Sequence, residues 1–402
     1  MAAASQGVKL AVFGNKPGFA EPLHVGRPNL PDKQAILDRV AGALDRHWLT
    51  NGGPLVGEFE RRVAEAADVK HCIAVANGTI GLEFAVRALG LQGEVIVPAF
   101  TFIATAHALA WLGVTPVFCD VDPSTHTIDP GHAEELITPQ TSGILGVHLW
   151  GRACPIGALA ELATRRNLAL FFDAAHAFSC TYGGQPIGRF GACEVFSFHA
   201  TKFVHCGEGG AIATNDDLLA QRLRLLRNFG FVGYDCVTAV ATNGKMSELA
   251  AAVGLTSLDE MGAIVTANRA NYEAYGRALA GIDGLKLISF DPQEASNFQY
   301  VVVEVDEQAA GLSRDELVAV LSAENVLARR YFSPGCHRME AYRAGSSVPS
   351  LPVTERLSAR VLALPTGLQL DGEKVSRIAG ILRTAVENAP AVRGRLSQRR
   401  AA

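Results

Sequence analysis

Seven short apolar runs recur through the first two-thirds of the chain, each ending at glycine, proline or a polar cluster. They are Cys72–Ala76, Glu94–Pro98, Pro116–Asp122, Gly143–Trp150, Leu168–Asp173, Glu194–His199 and Gly210–Thr214. Most are too short, and too rich in Val, Ile and Phe, to be helices, so they read as strands. Between them lie helix-period stretches such as Leu82–Leu89, Ile103–Trp111 and Ile156–Arg166. Strand alternating with helix predicts a mostly parallel sheet covered on both faces. Ligands collect at the carboxyl ends of such strands, and Asp173 sits at one of those ends.

The pattern changes after Met246. A long helical stretch through Ser247–Leu255 and on past Asn271–Tyr275 would link two domains. Beyond it come a strand pair, Leu285–Phe290 with Phe298–Val305, and a capping box, Ser313 with Glu316, opening a helix over Leu317–Glu324. A last helix is expected from about Gly372 to Glu387, with Asp371 as its N-cap. A chain of 402 residues fits two unequal domains. The expected division is an N-terminal arm and first helix over 1–45, a large domain over 46–265, a small α+β domain over 266–390, and a disordered tail over 391–402. The tail is basic, with Arg393, Arg395, Arg399 and Arg400, and reads as a solvated end rather than a binding arm.

Charge and cysteine usage exclude several functions. With 36 basic against 40 acidic residues the net charge is -4, so there is no electrostatic case for nucleic acid. The eight cysteines form no C-x-x-C pair and read as reduced thiols packed as small hydrophobes, with no metal site. No apolar window approaches a membrane span or an export signal, which points to a cytoplasmic protein.

Asp173 and Lys202 carry the chemistry. Lys202 closes the segment Glu194–Lys202, whose first half reads as a strand, and the turn Gly207-Glu-Gly-Gly210 follows. A lysine flanked by Phe198 and Phe203 is a poor surface lysine, and desolvation would make its amine a nucleophile near neutral pH. A carboxylate after an apolar run, beside Ala174 and Ala175, needs a cationic partner or else caps the segment after it. An acid and a lysine at neighbouring strand ends suit pyridoxal phosphate, whose aldehyde the lysine would hold and whose ring nitrogen the acid would keep protonated. In Ala76-Asn-Gly-Thr-Ile-Gly81 a strand passes into a helix, so free N–H groups and the Thr79 hydroxyl form a candidate phosphate cup. Ser197 lies close enough in sequence to Lys202 for both to reach one cofactor. Phe100 or Phe102 would stack on its ring, although either is equally a core aromatic.

Taken in order, Trp48–Pro54, Asn77–Thr79, Val95–Thr105, Asp173-Ala-Ala-His176, Phe196–Lys202 and Gly207–Gly210 resemble the DegT/StrS family of nucleotide-sugar aminotransferases. The resemblance runs from about Leu30 to Glu387. It implies fold type I, the aspartate aminotransferase-like fold: a large, mostly parallel sheet domain sandwiched by helices, plus a smaller C-terminal α+β domain. It also implies a homodimer with active sites shared across the interface, and L-glutamate as amino donor. Carried over by position, Gly78, Thr79 and Ser197 would hold the phosphate and Phe102 would stack on the ring. Asp173 would pair with the ring nitrogen, His176 would lie near the ring oxygen, and Lys202 would bind the cofactor covalently. Asn243 matches a position that reaches the partner subunit's cofactor phosphate.

The stretch Asn325–His337 resembles the loop that meets the sugar nucleotide, which makes Arg330, Tyr331 and His337 candidate substrate contacts. Arg330 is otherwise a surface ion pair, and His337 a satisfied loop histidine. The expected reaction is amination at C4 of dTDP-4-keto-6-deoxyglucose in deoxyamino-sugar biosynthesis. Amination at C3 of a dTDP-3-keto-6-deoxyhexose is the alternative, and a non-catalytic binding protein of the same fold is the rival from another class. Retention of both Asp173 and Lys202 argues for catalysis. Cys206 near Lys202 suggests sulfur transfer only weakly, and no G-x-G-x-x-G follows the first strand, which disfavours a nicotinamide enzyme.

Overall fold

The computed structural model describes residues 9–30, 32–343 and 348–401. Seven strands build the main sheet: β1 (His71–Val75), β2 (Glu94–Pro98), β3 (Thr115–Cys119), β4 (Thr141–Val147), β5 (Ala169–Asp173), β6 (Glu194–Ser197) and β7 (Gly210–Thr214). Their order is β1-β7-β6-β5-β4-β2-β3. Pairing is parallel from β6 through β5, β4 and β2 to β3, while β7 runs antiparallel to both β1 and β6.

Period-two alternation explains why the sheet is covered on both sides. Ile73, Val75, Val95, Val97, Phe171, Val195 and Ile212 enter one hydrophobic cluster. Their neighbours Cys72, Ala74, Ile96, Phe172, Phe196, Ala211 and Ala213 enter the opposite one. Helices α1 (Lys33–Asp45), α2 (Pro54–Ala67), α3 (Gly78–Ala88), α4 (Ile103–Ala110) and α5 (Ile156–Arg166) precede β6 in the chain, and α6 (Asp217–Arg227) follows β7. The buried Glu248 carboxylate accepts from the backbone N–H groups of Leu55 and Val56, both at 2.9 Å, and so caps α2 from a distant part of the chain. A side chain at Gly53 would collide with it, its Cβ falling 2.5 Å from Glu248 Cδ.

The linking helical stretch is not continuous. It divides into α7 (Glu248–Asp259) and α8 (Met261–Leu279), bent by 60° at Glu260. Among the described residues no single helix is long and apolar enough to cross a membrane. The smaller unit is a three-stranded antiparallel sheet in the order β8 (Leu285–Leu287), β9 (Val301–Val305), β10 (Val361–Leu364). It carries α9 (Arg314–Ala323), opened by the Ser313 and Glu316 capping box, and α10 (Gly372–Glu387), capped by Asp371.

One expectation is corrected. The tail expected to be disordered forms α11 (Ala389–Ala401), with Val392 and Leu396 buried in the small-domain core. Arg393 pairs with Glu307 and Glu316, and Arg395 donates to the Val12 carbonyl at 3.0 Å. The four arginines masked a one-turn apolar spacing that only packing makes visible. The N-terminal arm also belongs to this core: Leu10, Val12, Phe19 and Leu23 are buried in it, and Leu23–His24 pairs in parallel with Val326–Leu327.

Candidate active site

A cavity of about 540 Å³ opens at the carboxyl ends of the parallel strands. Gly78, Thr79, Phe102, Asp173, His176, Ser197, Lys202 and Tyr331, all singled out from the sequence, line it. Asn243, Arg330 and His337 do not.

Lys202 lies on the loop between β6 and β7. That loop is pinned by Phe198 N to Gly209 O at 2.8 Å, Ala200 N to Gly207 O at 2.7 Å and Cys206 N to Phe198 O at 2.8 Å. Gly207, at φ +76°, takes a left-handed conformation that a side chain would strain. Burial pushes the Lys202 ammonium down to about 8, while the nearby Asp173 carboxylate pulls the other way. This amine therefore loses its proton more readily than an ordinary lysine.

Asp173 is buried at the end of β5. Its Oδ2 accepts from Thr105 Oγ1 at 2.8 Å, its Oδ1 from Ala175 N at 3.1 Å, and Thr101 Oγ1 lies 3.0 Å from Thr105 Oγ1. Burial raises its proton affinity, and the two donors with Lys202 counter that rise. Beneath it, His148 N donates to the Asp173 carbonyl at 3.0 Å. The His148 ring accepts at Nδ1 from Cys154 N, so Nε2 carries the hydrogen and donates to the buried Glu194 at 2.7 Å.

His176 is fixed as a neutral donor. Its Nδ1 accepts from Trp150 N at 3.3 Å, which leaves the hydrogen on Nε2, and burial followed by the Lys202 charge holds its proton affinity well below the usual histidine value. Trp150 stacks on His176 and on Phe332, and Phe100 packs edge-on to both Trp150 and Phe332. Phe100 is thus core, whereas Phe102 stands 57% exposed at the cavity wall, free to cover a planar ring.

The residues present fit pyridoxal phosphate. The Asn77 side chain caps α3 through Ile80 N at 2.9 Å, and the first backbone bond of the helix is Gly81 N to Asn77 O. The N–H groups of Gly78 and Thr79 precede that bond and face the cavity end of a helix, where an anion is favoured. A Cβ at Gly78 would stand 3.2 Å from Ser197 Cβ, and one at Gly210 only 2.6 Å from the Asn77 backbone, so the cup depends on both glycines. At the far side, a buried carboxylate suits a protonated ring nitrogen, and Lys202 supplies the amine.

A model of the DegT/DnrJ/EryC1/StrS aminotransferase family matches residues 31–383. The chain belongs to this family. It is 36% identical over 363 residues to a dTDP-4-amino-4,6-dideoxy-D-glucose transaminase of Shigella dysenteriae, covering 90% of this chain and 99% of the relative. It is 35% identical over 370 residues to the GDP-perosamine synthase of Caulobacter vibrioides, with 90% and 97% covered. The structure of DesI in the presence of its TDP-sugar product is 49% identical and superposes with a TM-score of 0.92 over 98% of this chain and 99% of that one. The protein is a pyridoxal-phosphate-dependent sugar aminotransferase of fold type I.

Within this family member the remaining predicted residues lie elsewhere. Asn243 is exposed and bridges to Asn228, outside the cavity of its own chain. Arg330 is exposed and pairs with Asp315 at 3.4 Å. His337 is 1% exposed, with Nε2 held 3.3 Å from Glu355 and its ring beside Phe118, so it is a packed histidine and not a cavity contact. The short 3-10 turn Cys336–Arg338 is tied to the large domain by Cys336 N to Ala99 O at 2.9 Å, which sets the His337 ring against Phe118. The sequence did not single out Thr105, Trp150 or Tyr300. Thr105 stands one helical turn beyond Phe102, a spacing that the start of α4 makes readable; Tyr300 carries no local signal.

Proposed function

We propose that the protein moves an amino group from L-glutamate to C4 of dTDP-4-keto-6-deoxyglucose. The convergence of Lys202, Asp173 and His176 on one cavity above the Gly78–Thr79 helix terminus carries the aminotransferase chemistry. The choice of substrate is supported by the Shigella dysenteriae relative and by DesI, whose product is a TDP-sugar.

Pyridoxal phosphate, when bound, supplies an aldehyde carbon that carries nitrogen and a ring that accepts electrons. Gly78, Thr79 and Ser197 would hold its phosphate, Phe102 would cover its ring, and His176 Nε2–H would donate to its ring oxygen. Asp173, whose carboxylate Thr105 and the Ala175 N–H support against the rise in proton affinity that burial causes, would keep a proton on the ring nitrogen. Lys202 Nζ would hold the cofactor covalently at rest. When not bound to the cofactor, the same nitrogen would serve as the base and acid that moves the proton of the amino donor's α carbon. Tyr300 and Phe332, both buried, form the cavity wall on the small-domain side, with Trp150 packed against them.

The assembly proposed is a homodimer in which Asn243 reaches the partner's cofactor phosphate. Phe229, Phe231, Val232, Tyr234, Val237 and Val240 are exposed on one loop next to Asn243 in sequence, an apolar surface of the kind that protein contacts cover. The four domain bounds set out from the sequence are retained in the proposal, with the tail reassigned to the small domain. The protein is proposed to work in the cytoplasm.

The deciding experiment is incubation of the yellow holoenzyme with L-glutamate and dTDP-4-keto-6-deoxyglucose, followed by NMR of the product. A 4-amino sugar with stoichiometric 2-oxoglutarate is expected. An amine at C3, or inertness of the holoenzyme toward this sugar with every amino donor, would overturn the substrate assignment.

A further inference from the structure

Tyr300 is buried immediately before β9, and its hydroxyl accepts a hydrogen bond from Lys202 Nζ at 3.2 Å. The contact joins the two domains, Lys202 coming from the loop after β6 and Tyr300 from the small sheet. Among the described residues, Tyr300 Oη is the side-chain hydrogen-bond partner of that amine. Asp173, the carboxylate that faces the same nitrogen electrostatically, already has its oxygens engaged by Thr105 and by Ala175 N–H.

The segment leading into Tyr300 is anchored. Asn297 Nδ2 donates to the carbonyls of His176 at 2.9 Å and Phe178 at 3.0 Å, and Gln299 Nε2 adds a second bond to the His176 carbonyl at 2.8 Å. The Tyr300 ring then lies against His176, with centroids 4.3 Å apart, and edge-on to Trp150 at 5.5 Å. One strand lead therefore fixes the His176 backbone and places a hydroxyl on the Lys202 nitrogen.

We propose that Tyr300 is the positioning residue of Lys202, its hydroxyl holding the lysine amine aimed into the cavity whenever that amine is not bound to the cofactor. The proposal rests on the reading of Lys202 as the nitrogen that carries the cofactor. A phenol serves both protonation states, accepting from an ammonium and donating its own hydrogen to the lone pair of a neutral amine. Burial holds the Tyr300 phenol far above its ordinary proton affinity, so it stays neutral and does not trap the lysine as a permanent ion pair.

Tyr300→Phe in the holoenzyme keeps the ring against His176 and Trp150 and removes only the hydroxyl. Its expected effect is a fall in kcat of about tenfold with KM changed less than about threefold, at unchanged cofactor content and melting temperature. In a Lys202→Ala background rescued with methylamine, the same substitution should make no further difference, because the residue acts through Lys202. An unchanged kcat, or an equal loss in both backgrounds, would show that Tyr300 only packs the wall and would overturn the proposal. A second measurement needs neither glutamate nor sugar: release of the cofactor from holoenzyme by hydroxylamine, in which Lys202 must depart. This release should slow about threefold or more in Tyr300→Phe, and an equal rate would overturn the assignment of Tyr300 even if the sugar substrate proves to be a different one.

Discussion

Thr105 Oγ1 donates to Asp173 Oδ2 across 2.8 Å, and both side chains are buried. The pair ties the first turn of α4 to the end of β5, so the carboxylate that would face the ring nitrogen is held by a residue 68 positions earlier in the chain. Hydrogen bonds to a charged group contribute about 1.5–3 kcal/mol, so Thr105→Val, which keeps shape and loses the donor, should weaken cofactor binding by about tenfold or more. Equilibrium titration with pyridoxal phosphate checks this, and unchanged affinity would mean that Ala175 N–H alone suffices.

Lys202→Ala should abolish covalent retention of the cofactor after borohydride reduction, read by mass spectrometry of the peptide that holds residue 202. Turnover should fall by about 10²–10⁴-fold, the range expected for loss of a positioned proton-transfer group.

The depressed proton affinity of Lys202, at about 8, predicts a specific pH profile. In protein stripped of cofactor, the amine must be neutral to capture pyridoxal phosphate. Stopped-flow capture rates should climb about tenfold per pH unit below pH 8 and level off there, well before the ordinary lysine range. The same displacement means that burying the ammonium costs stability below about pH 8. That cost is relieved as pH rises from about 8 toward the unfolded value, because the unfolded chain then binds more protons than the native one. A capture rate still climbing steeply past pH 10 would contradict the burial of this amine.

His337→Ala should affect stability and not substrate binding. The ring is 1% exposed and its Nε2 faces Glu355, so its removal leaves a cavity and costs one hydrogen bond to a carboxylate that Arg338 still holds. A loss of about 1–3 kcal/mol in denaturant unfolding is expected, with KM for the sugar nucleotide within about twofold of wild type. A large rise in KM at unchanged stability would restore His337 as a substrate contact.

The strands of the main sheet were legible because each is a run of apolar residues too short for a helix, and burial on both faces leaves an unbroken signal. Asp173 and Lys202 were legible for a related reason: charged groups at the ends of such runs have few structural explanations. The break at Glu260 was not legible, since helical periodicity continues on both sides of it, no proline marks it, and Gly262 beside it reads no differently from Gly254 inside the first helix. Nor was α11, whose buried Val392 and Leu396 sit among arginines that also pair with small-domain acids.

The order of residues thus determined the alternation of strand and helix, the glycine cup at Gly78, and the placing of an acid and an amine at neighbouring strand ends. Tertiary structure alone decided which small-domain groups meet them: Tyr300 and Tyr331 enter the cavity, while Arg330 and His337, close in sequence to Tyr331, do not. Local periodicity records which face of an element is apolar, but Tyr300 lies 98 positions along the chain from Lys202. That meeting is set by how two separately packed cores dock, a property of their combined surfaces and not of any window of sequence.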